Sequence, residues 1–211
     1  MKVTGIYLGA GAGTRMGGSK LSILLGGSGR LGGSALEAAL RSSLERICVV
    51  TRPGPPVDWL PASYYKAERE GRAVQVTSRE AHLGMSHSLR AGLAAACTGT
   101  LPDAVVVLLA DQPLVTAAMI DRLLASFREQ PKLDYCAAGH EGVPKPPVLL
   151  SRSMFGSVEK LAGDQGARAL LSEPHVFGMI LEEPESRRFF DADTPEDVER
   201  IRFFIGNVHG I

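Results

Sequence analysis

The chain has 211 residues, of which 45% are hydrophobic and 22% charged, so a single α/β domain over residues 1–211 with one buried core is expected. Its 23 basic and 23 acidic residues cancel, which leaves no positive excess of the kind that nucleic acid or an anionic membrane surface requires. Any phosphate binding must therefore be local. In chain order, short apolar runs rich in β-branched residues predict strands at Val3–Leu8, Ile47–Thr51, Ala73–Thr77, Ala104–Leu109, Tyr135–Ala138 and Val176–Leu181. Between them, helical patterns occur at Ala35–Arg41, Ser86–Ala96, Ala117–Glu129, Arg152–Leu161, Ala167–Leu171 and Pro195–Phe204, while Pro53–Pro61 and Gly139–Pro147 read as the longest irregular pieces. This alternation predicts an α/β fold, a largely parallel sheet covered by helices on both faces. The run Val105–Leu109 is apolar without alternation, as a central strand buried on both sides requires.

Cys48, Cys97 and Cys136 are far apart and odd in number, which offers neither a disulfide framework nor a CxxC metal site. They are expected to be small buried hydrophobes in a reducing compartment. The first residues carry only Ile6–Leu8 as an uninterrupted apolar piece, too short for a signal peptide or a membrane span, so a cytoplasmic location is expected. His82, His87, His140, His175 and His209 show no metal-binding or triad spacing and are expected at the surface or in local hydrogen bonds. Trp59 and the pair Tyr64-Tyr65 are expected to pack.

Ligands of open α/β sheets bind beyond the carboxyl ends of the strands, so the residues just after Leu8 and Leu109 are the place to seek chemistry. After Leu8 comes Gly9-Ala10-Gly11-Ala12-Gly13-Thr14-Arg15-Met16-Gly17-Gly18-Ser19-Lys20. Small residues there let backbone amides approach an anion, and Arg15 and Lys20 supply charge. The dinucleotide pattern GxGxxG fails at its third glycine, and the P-loop pattern fails because Ser19-Lys20 reverses the required order.

Gly9–Lys20 resembles the LAAGxSxRMGxxK motif of nucleotidyltransferases related to the molybdenum cofactor guanylyl- and cytidylyltransferases, a branch of the nucleotide-diphospho-sugar transferase fold. Arg15-Met16-Gly17 and Lys20 match as they stand, and Gly9-Ala10-Gly11 stands for the commoner Ala-Ala-Gly. The resemblance implies a three-layer αβα, Rossmann-like fold on a mostly parallel mixed sheet. It also implies that Leu8, Gly9, Ala10, Gly11, Gly13, Thr14, Arg15 and Lys20 surround the nucleotide, with Arg15 and Lys20 acting in catalysis.

Further along, Gly84-Met85-Ser86-His87-Ser88-Leu89 is a small-residue turn that opens a helix, and a serine-capped helix would explain it alone. It resembles the family's GMSxSLxxGL segment, which implies that Gly84, Ser86 and Ser88 lie against the nucleotide. Leu109-Ala110-Asp111-Gln112-Pro113 sets a carboxylate at the end of the buried strand, where a bare charge is costly. Asp111 either caps the helix near Thr116 or holds a cation, and Mg²⁺ suits a carboxylate facing phosphates. The string resembles the family's LADMP or LADQP, which implies that Asp111 is a metal ligand and a catalytic residue.

Asp191-Ala192-Asp193-Thr194-Pro195-Glu196-Asp197 pairs two carboxylates on one side of an extended segment with a capped helix start. It resembles the family's D[IV]DTPxD, which implies a metal contact at Asp193 and a weaker one at Asp191. Leu161–Arg168 resembles the family's LxGDxGAR, implying that Gly163, Asp164, Gly166 and Arg168 receive the acceptor's phosphate. Where the family has GxPGHP, this chain has Gly142-Val143-Pro144-Lys145-Pro146-Pro147, with Lys145 and Pro146 replacing Gly and His.

Five motifs in the family's order, from Leu8 to Asp197, imply attack of an acceptor phosphate on the α-phosphorus of a nucleoside triphosphate with release of pyrophosphate. The implied cofactor is Mg²⁺, or Mn²⁺. The implied partners are CTP, or GTP, and a molybdopterin-type phosphate acceptor, with a xanthine-dehydrogenase-type client enzyme and a place in purine catabolism. A sugar phosphate or other small phosphate as acceptor keeps the same chemistry, and a non-catalytic carrier of the pterin cofactor is the reading of another class. Neither nucleic acid nor membrane is an expected partner.

Overall fold

Strand β1 (Val3–Leu8) is buried at every residue, because a strand lies on each side of it and helices cover both of its faces. The computed structural model describes residues 1–11, 20–26 and 29–208. β1 pairs in parallel with β4 (Arg46–Thr51) and with β6 (Ala104–Leu109), in a register that sets Leu8 opposite both Val50 and Leu109. Three strand ends therefore finish level. β4 continues in parallel to β5 (Ala73–Thr77). Beyond β6 lie β8 (Val143–Ser151), β7 (Tyr135–His140) and β9 (Gly178–Glu182), giving the seven-strand order β5-β4-β1-β6-β8-β7-β9. β8 alone runs against its neighbours, so the sheet is mixed but mostly parallel. A small hairpin of β2 (Leu24–Gly26) and β3 (Gly29–Arg30) stands apart from it.

Alternate residues of the central strands serve opposite faces, as strand geometry demands. Ile6, Leu8, Val105 and Val107 pack with Leu89 and Leu93 of α3 (Met85–Ala96) and with Phe155 and Val158 of α5 (Phe155–Lys160). Tyr7, Val106 and Leu108 pack on the other face with α1 (Leu31–Arg41), α4 (Ala117–Glu129) and α6 (Pro195–Val208), through residues such as Leu36, Leu123 and Ile201. The result is the expected three-layer αβα arrangement. α3 comes very close to β1: a Cβ on Gly92 would stand 2.4 Å from Ile6 Cγ2.

The Gly139–Pro147 stretch, expected to be irregular, is instead the tip of a hairpin and the first part of its second strand. Glu141 and Gly142 take φ of 52° and 72°, and β7 and β8 pair around them. Prolines are tolerated because β6 pairs with β8 only from Val148 onward, so the proline-bearing half has one free edge. Pro146 and Pro147, joined by a cis peptide, occupy the register shift between Val148 and Lys145.

Other boundaries differ for tertiary reasons. α1 begins at Leu31, not Ala35, because Gly32 and Gly33 let the helix lie on Trp59; a Cβ on Gly32 would be 2.8 Å from its ring. α2 (Ala62–Arg69) is not visible in the apolar pattern, since only Tyr64 and Ala67 are buried. The 167–171 helix is a 3-10 segment over Ala167–Ser172, and the 152–161 helix divides into a 3-10 turn, Arg152–Met154, and α5. Cys48 and Cys136 are buried, whereas Cys97 is only partly so. Trp59 and Tyr64 pack in the core, but Tyr65 is exposed.

Candidate active site

The site forms where β1, β4 and β6 end together. Gly9 N–H donates to Val50 O at 2.8 Å, and Ala110 N–H donates to Leu8 O at 3.1 Å, so the first residues beyond the strands are tied into the sheet. The amide of Gly9 is thus already committed. Its lack of a side chain serves Trp59, whose ring would be 2.8 Å from a Cβ. Gly11 is different, since nothing lies within 4 Å of where its Cβ would be. Leu8, Ala10, Gly11, Gly84, Ser88, Leu109, Asp111 and Asp164 line one cleft of ≈ 220 Å³. A second, of ≈ 430 Å³, adjoins it through Gly11 and Arg52 and reaches Gly9, Lys20 and Trp59. Gly13, Thr14 and Arg15 lie outside the described residues.

The helix start at α3 is built by close backbone contact and not by a serine cap. Gly84 takes φ 123°, and a Cβ on it would stand 2.3 Å from the carbonyl of Gly163. Ser86 N–H donates to Gly163 O at 3.0 Å, so the 161–166 loop is clamped on the amino end of α3. That brings Gly163 and Asp164 beside the cleft. Gly166 meets Met85, whose sulfur would be 2.6 Å from a Cβ there. Ser86 Oγ is buried with no hydrogen-bond partner, an orphan polar group of the kind that native structures seldom leave without a ligand or water. Arg168 is exposed and lines no part of the cleft.

Asp111 does not cap α4. Thr116 does, accepting from Met119 N–H at 3.3 Å. Asp111 Oδ2 instead accepts from Lys20 Nζ at 2.9 Å, and the same ammonium reaches Asp193 Oδ1 at 2.9 Å. Burial by itself would lower the pKa of Lys20. The charge and hydrogen bond of Asp111, joined by those of Asp193, outweigh it and hold the ammonium above the ordinary lysine value. Asp193 is presented by a reciprocal cap in which Thr194 N–H donates to Asp197 Oδ2 (3.0 Å) and Asp197 N–H donates to Thr194 Oγ1 (3.2 Å). Ala192 N–H donates to Asp111 O at 2.9 Å, fastening this segment to the end of β6.

Asp191 joins the group through Gln112, whose Nε2 donates to Asp191 Oδ1 at 3.0 Å. Crowding by protein raises the Asp191 pKa first. The charges of Asp111 and Asp193 push it further up, and the Gln112 bond and Lys145 oppose them. Asp191 therefore feels the charge of both Asp111 and Asp193. Among the described residues no set of three or more His, Cys, Asp or Glu side chains closes on a single metal position. The two carboxylates that share an ammonium do fit Mg²⁺ or Mn²⁺, because such hard ions use one or two carboxylates and complete their shell with substrate phosphates and water.

Two contributors are not singled out by the sequence. Arg52, directly after β4, donates from Nε to Ala10 O at 2.6 Å and lines both clefts; its place at a strand end is the available signal. Gln112 reads in the sequence only as part of a motif, yet it is 3% exposed and its Oε1 has no partner. The histidines behave as expected where described: His87 Nδ1 is 2.9 Å from Glu80, and His140 Nδ1 donates to Glu183 O at 2.8 Å. Another cleft, of ≈ 390 Å³ between α1 and α6, contains Arg41, Arg187 and Arg188, but each is paired with Glu37 or Glu185.

A glycine-lined strand end facing an acidic pair bridged by lysine, on this αβα sheet, defines a nucleotidyltransferase of the Rossmann-like nucleotide-diphospho-sugar transferase fold. The chain belongs to the MobA-like NTP transferase domain family, whose pattern matches residues 5–177. It is 32% identical over 200 residues to the purine catabolism protein PucB of Bacillus subtilis (strain 168), an alignment covering 94% of this chain and 95% of PucB. Among solved structures it resembles Rv0371C of Mycobacterium tuberculosis H37Rv in complex with manganese, with 20% identity, a TM-score of 0.71 and coverage of 96% and 99% of the two chains. It also resembles the molybdopterin-guanine dinucleotide biosynthesis protein A of Archaeoglobus fulgidus, with 19% identity, a TM-score of 0.66 and coverage of 97% and 99%.

Proposed function

We propose that this chain, as one domain over residues 1–211, moves CMP from CTP to the phosphate of molybdopterin or its molybdenum form and releases pyrophosphate. The observation that carries the reading is the convergence of Asp111 and Asp193 on Lys20 at 2.9 Å each, beside a cleft lined by the nucleotide motifs. The names of PucB and of the Archaeoglobus protein join purine catabolism to a molybdopterin dinucleotide, and a cytoplasmic xanthine-dehydrogenase-type enzyme is a client that unites the two. GTP is the other donor to be tried.

In this reading an acceptor phosphate oxygen forms a bond to the α-phosphorus while the bond to the bridging oxygen of the β-phosphate breaks, and pyrophosphate leaves. The acceptor is already ionised, so no general base is needed. Positioning and charge neutralisation supply the catalysis. Leu8, Ala10, Gly11, Gly84, Ser86 and Ser88 shape the nucleotide cleft. Lys20 and Arg15 neutralise the departing pyrophosphate, and Gly163 and Asp164 close the side of the cleft nearest α3. Asp111 and Asp193, with Asp191 held by Gln112, would hold Mg²⁺ or Mn²⁺. When bound, that ion neutralises the phosphate charge and orients the α-phosphate. The manganese complex of the mycobacterial relative supports a divalent ion here.

The test is to incubate purified protein with molybdopterin, Mg²⁺ and either CTP or GTP and to assay pyrophosphate and the pterin dinucleotide. CTP-dependent product is expected. No release with either nucleotide would overturn the reading.

A further inference from the structure

Lys145 is a cation near the carboxylates that the proposed reaction does not use. It stands on β8 opposite Ala138 of β7, half-buried, with Nζ 5.8 Å from the centre of the Phe189 ring. Phe189 is itself buried against Met119 and Ala138. From there the chain runs directly to Asp191 and to Ala192, whose N–H is fixed on Asp111 O at 2.9 Å. The ring under Lys145 is thus tied to the same segment that carries the acidic group. Lys145 is near enough to act on the charge of Asp191, yet among the described residues no ion pair joins it to any carboxylate. Lys20, by comparison, has two.

The sheet order gives these two lysines different duties. The nucleotide cleft lies over β4, β1 and β6, on the side where Lys20 and Arg52 stand. β8 is the next strand beyond β6. Lys145 therefore flanks the carboxylates from the opposite side. In the loop expected to receive the acceptor, Ser86 N–H holds Gly163 O on the amino end of α3, and Arg168 is exposed and does not line the nucleotide cleft. An incoming phosphate, with a charge of about −1.5 to −2, must approach three carboxylates. It requires a positive group on its own side, and an unpaired ammonium steadied by an aromatic ring is such a group.

We propose that Lys145, held over Phe189 on the β8 side of the acidic cluster, binds the phosphate of the acceptor and so helps to select phosphorylated acceptors. This rests on the nucleotidyl transfer proposed for the site, though not on the identity of the acceptor. It is tested in the whole chain with Lys145→Met and Lys145→Arg. With molybdopterin and CTP, Lys145→Met should raise the acceptor KM at least about tenfold, leave the nucleotide KM within about twofold, and be largely rescued by Lys145→Arg, since the loss is of ground-state binding. An unchanged acceptor KM, or a parallel rise for nucleotide, would overturn the proposal. A second arm uses inorganic phosphate alone as the probe, added to protein saturated with CTP, and reads the melting temperature. A phosphate-induced rise in wild type that disappears in Lys145→Met supports the proposal even if the pterin proves not to be a substrate. The same rise in both proteins, or no rise in either, overturns it.

Discussion

Asp111 and Asp193 share a single ammonium: Nζ of Lys20 is 2.9 Å from Oδ2 of the first and 2.9 Å from Oδ1 of the second. The three residues come from the end of β6, the approach to α6 and the 3-10 turn Lys20–Ser22. Between two carboxylates that reach one ammonium, a positive charge is the favourable occupant, because it attracts both while they repel each other.

The first consequence concerns turnover. Asp111→Asn keeps the shape of the side chain and Lys20 retains Asp193, so the fold should survive by circular dichroism. Pyrophosphate release at saturating CTP and Mg²⁺ should fall by about 10²- to 10³-fold, the range seen when one charge-stabilising group is removed. A rate near that of wild type would take Asp111 out of the reaction.

Lys20→Met exposes the acidic pair to the solvent cation. With the ammonium removed, millimolar Mg²⁺ or Mn²⁺ should raise the melting temperature more in the variant than in wild type, and EDTA should reverse the rise. Differential scanning fluorimetry reads this directly. Equal shifts in the two proteins would show that the metal does not enter between Asp111 and Asp193.

Gly84 and Gly99 provide a matched pair for the α3 clamp. Both have positive φ, 123° and 83°. A Cβ on Gly99 meets nothing within 4 Å, while one on Gly84 would lie 2.3 Å from the backbone of Gly163. Gly99→Ala should therefore cost only backbone strain, of order 1 kcal/mol. Gly84→Ala should cost clearly more, about 2–4 kcal/mol once overpacking is added, and should weaken nucleotide binding as the loop is displaced. Urea unfolding and a CTP titration test the two effects, and equal stability of the variants would refute the clamp.

Asp134 predicts an acid response far from the site. Ser153 Oγ donates to its carboxylate at 2.6 Å and Phe177 N–H at 3.0 Å, and these bonds, Ser153 first, hold its pKa below the ordinary 3.8. Because the folded value is the lower one, the stabilisation is complete above the unfolded value and disappears as pH falls through the folded one. The difference in unfolding free energy between wild type and Asp134→Asn should be constant near neutrality and shrink below about pH 4. A pH-independent difference would count against a charged Asp134.

Much of the layered fold is legible in the sequence. The apolar runs at Val3–Leu8 and Ala104–Leu109 are the strands as they stand, since a strand buried on both faces has no polar alternation to blur its limits. α4 likewise matches its pattern, because Thr116 caps it locally. Where the sequence misleads, the cause is a contact with a distant segment. Gly32 and Gly33 look like helix breakers until Trp59 lies against them, and the proline-bearing stretch after Val143 looks like loop until β7 pairs with it on either side of Pro146 and Pro147.

The candidate site divides in the same way. Glycines, a lysine and two aspartates at strand ends and a helix start are local features, so composition and order along the chain are enough to indicate phosphate and cation chemistry. The sharing of Lys20 by Asp111 and Asp193, the commitment of the Gly9 amide to Val50, the hold of Gln112 on Asp191 and the seat of Lys145 over Phe189 are distances between residues remote in sequence. No propensity or spacing encodes them, because they exist only after packing of the sheet brings the carboxyl ends of β1, β4 and β6 and the first half of β8 to one edge.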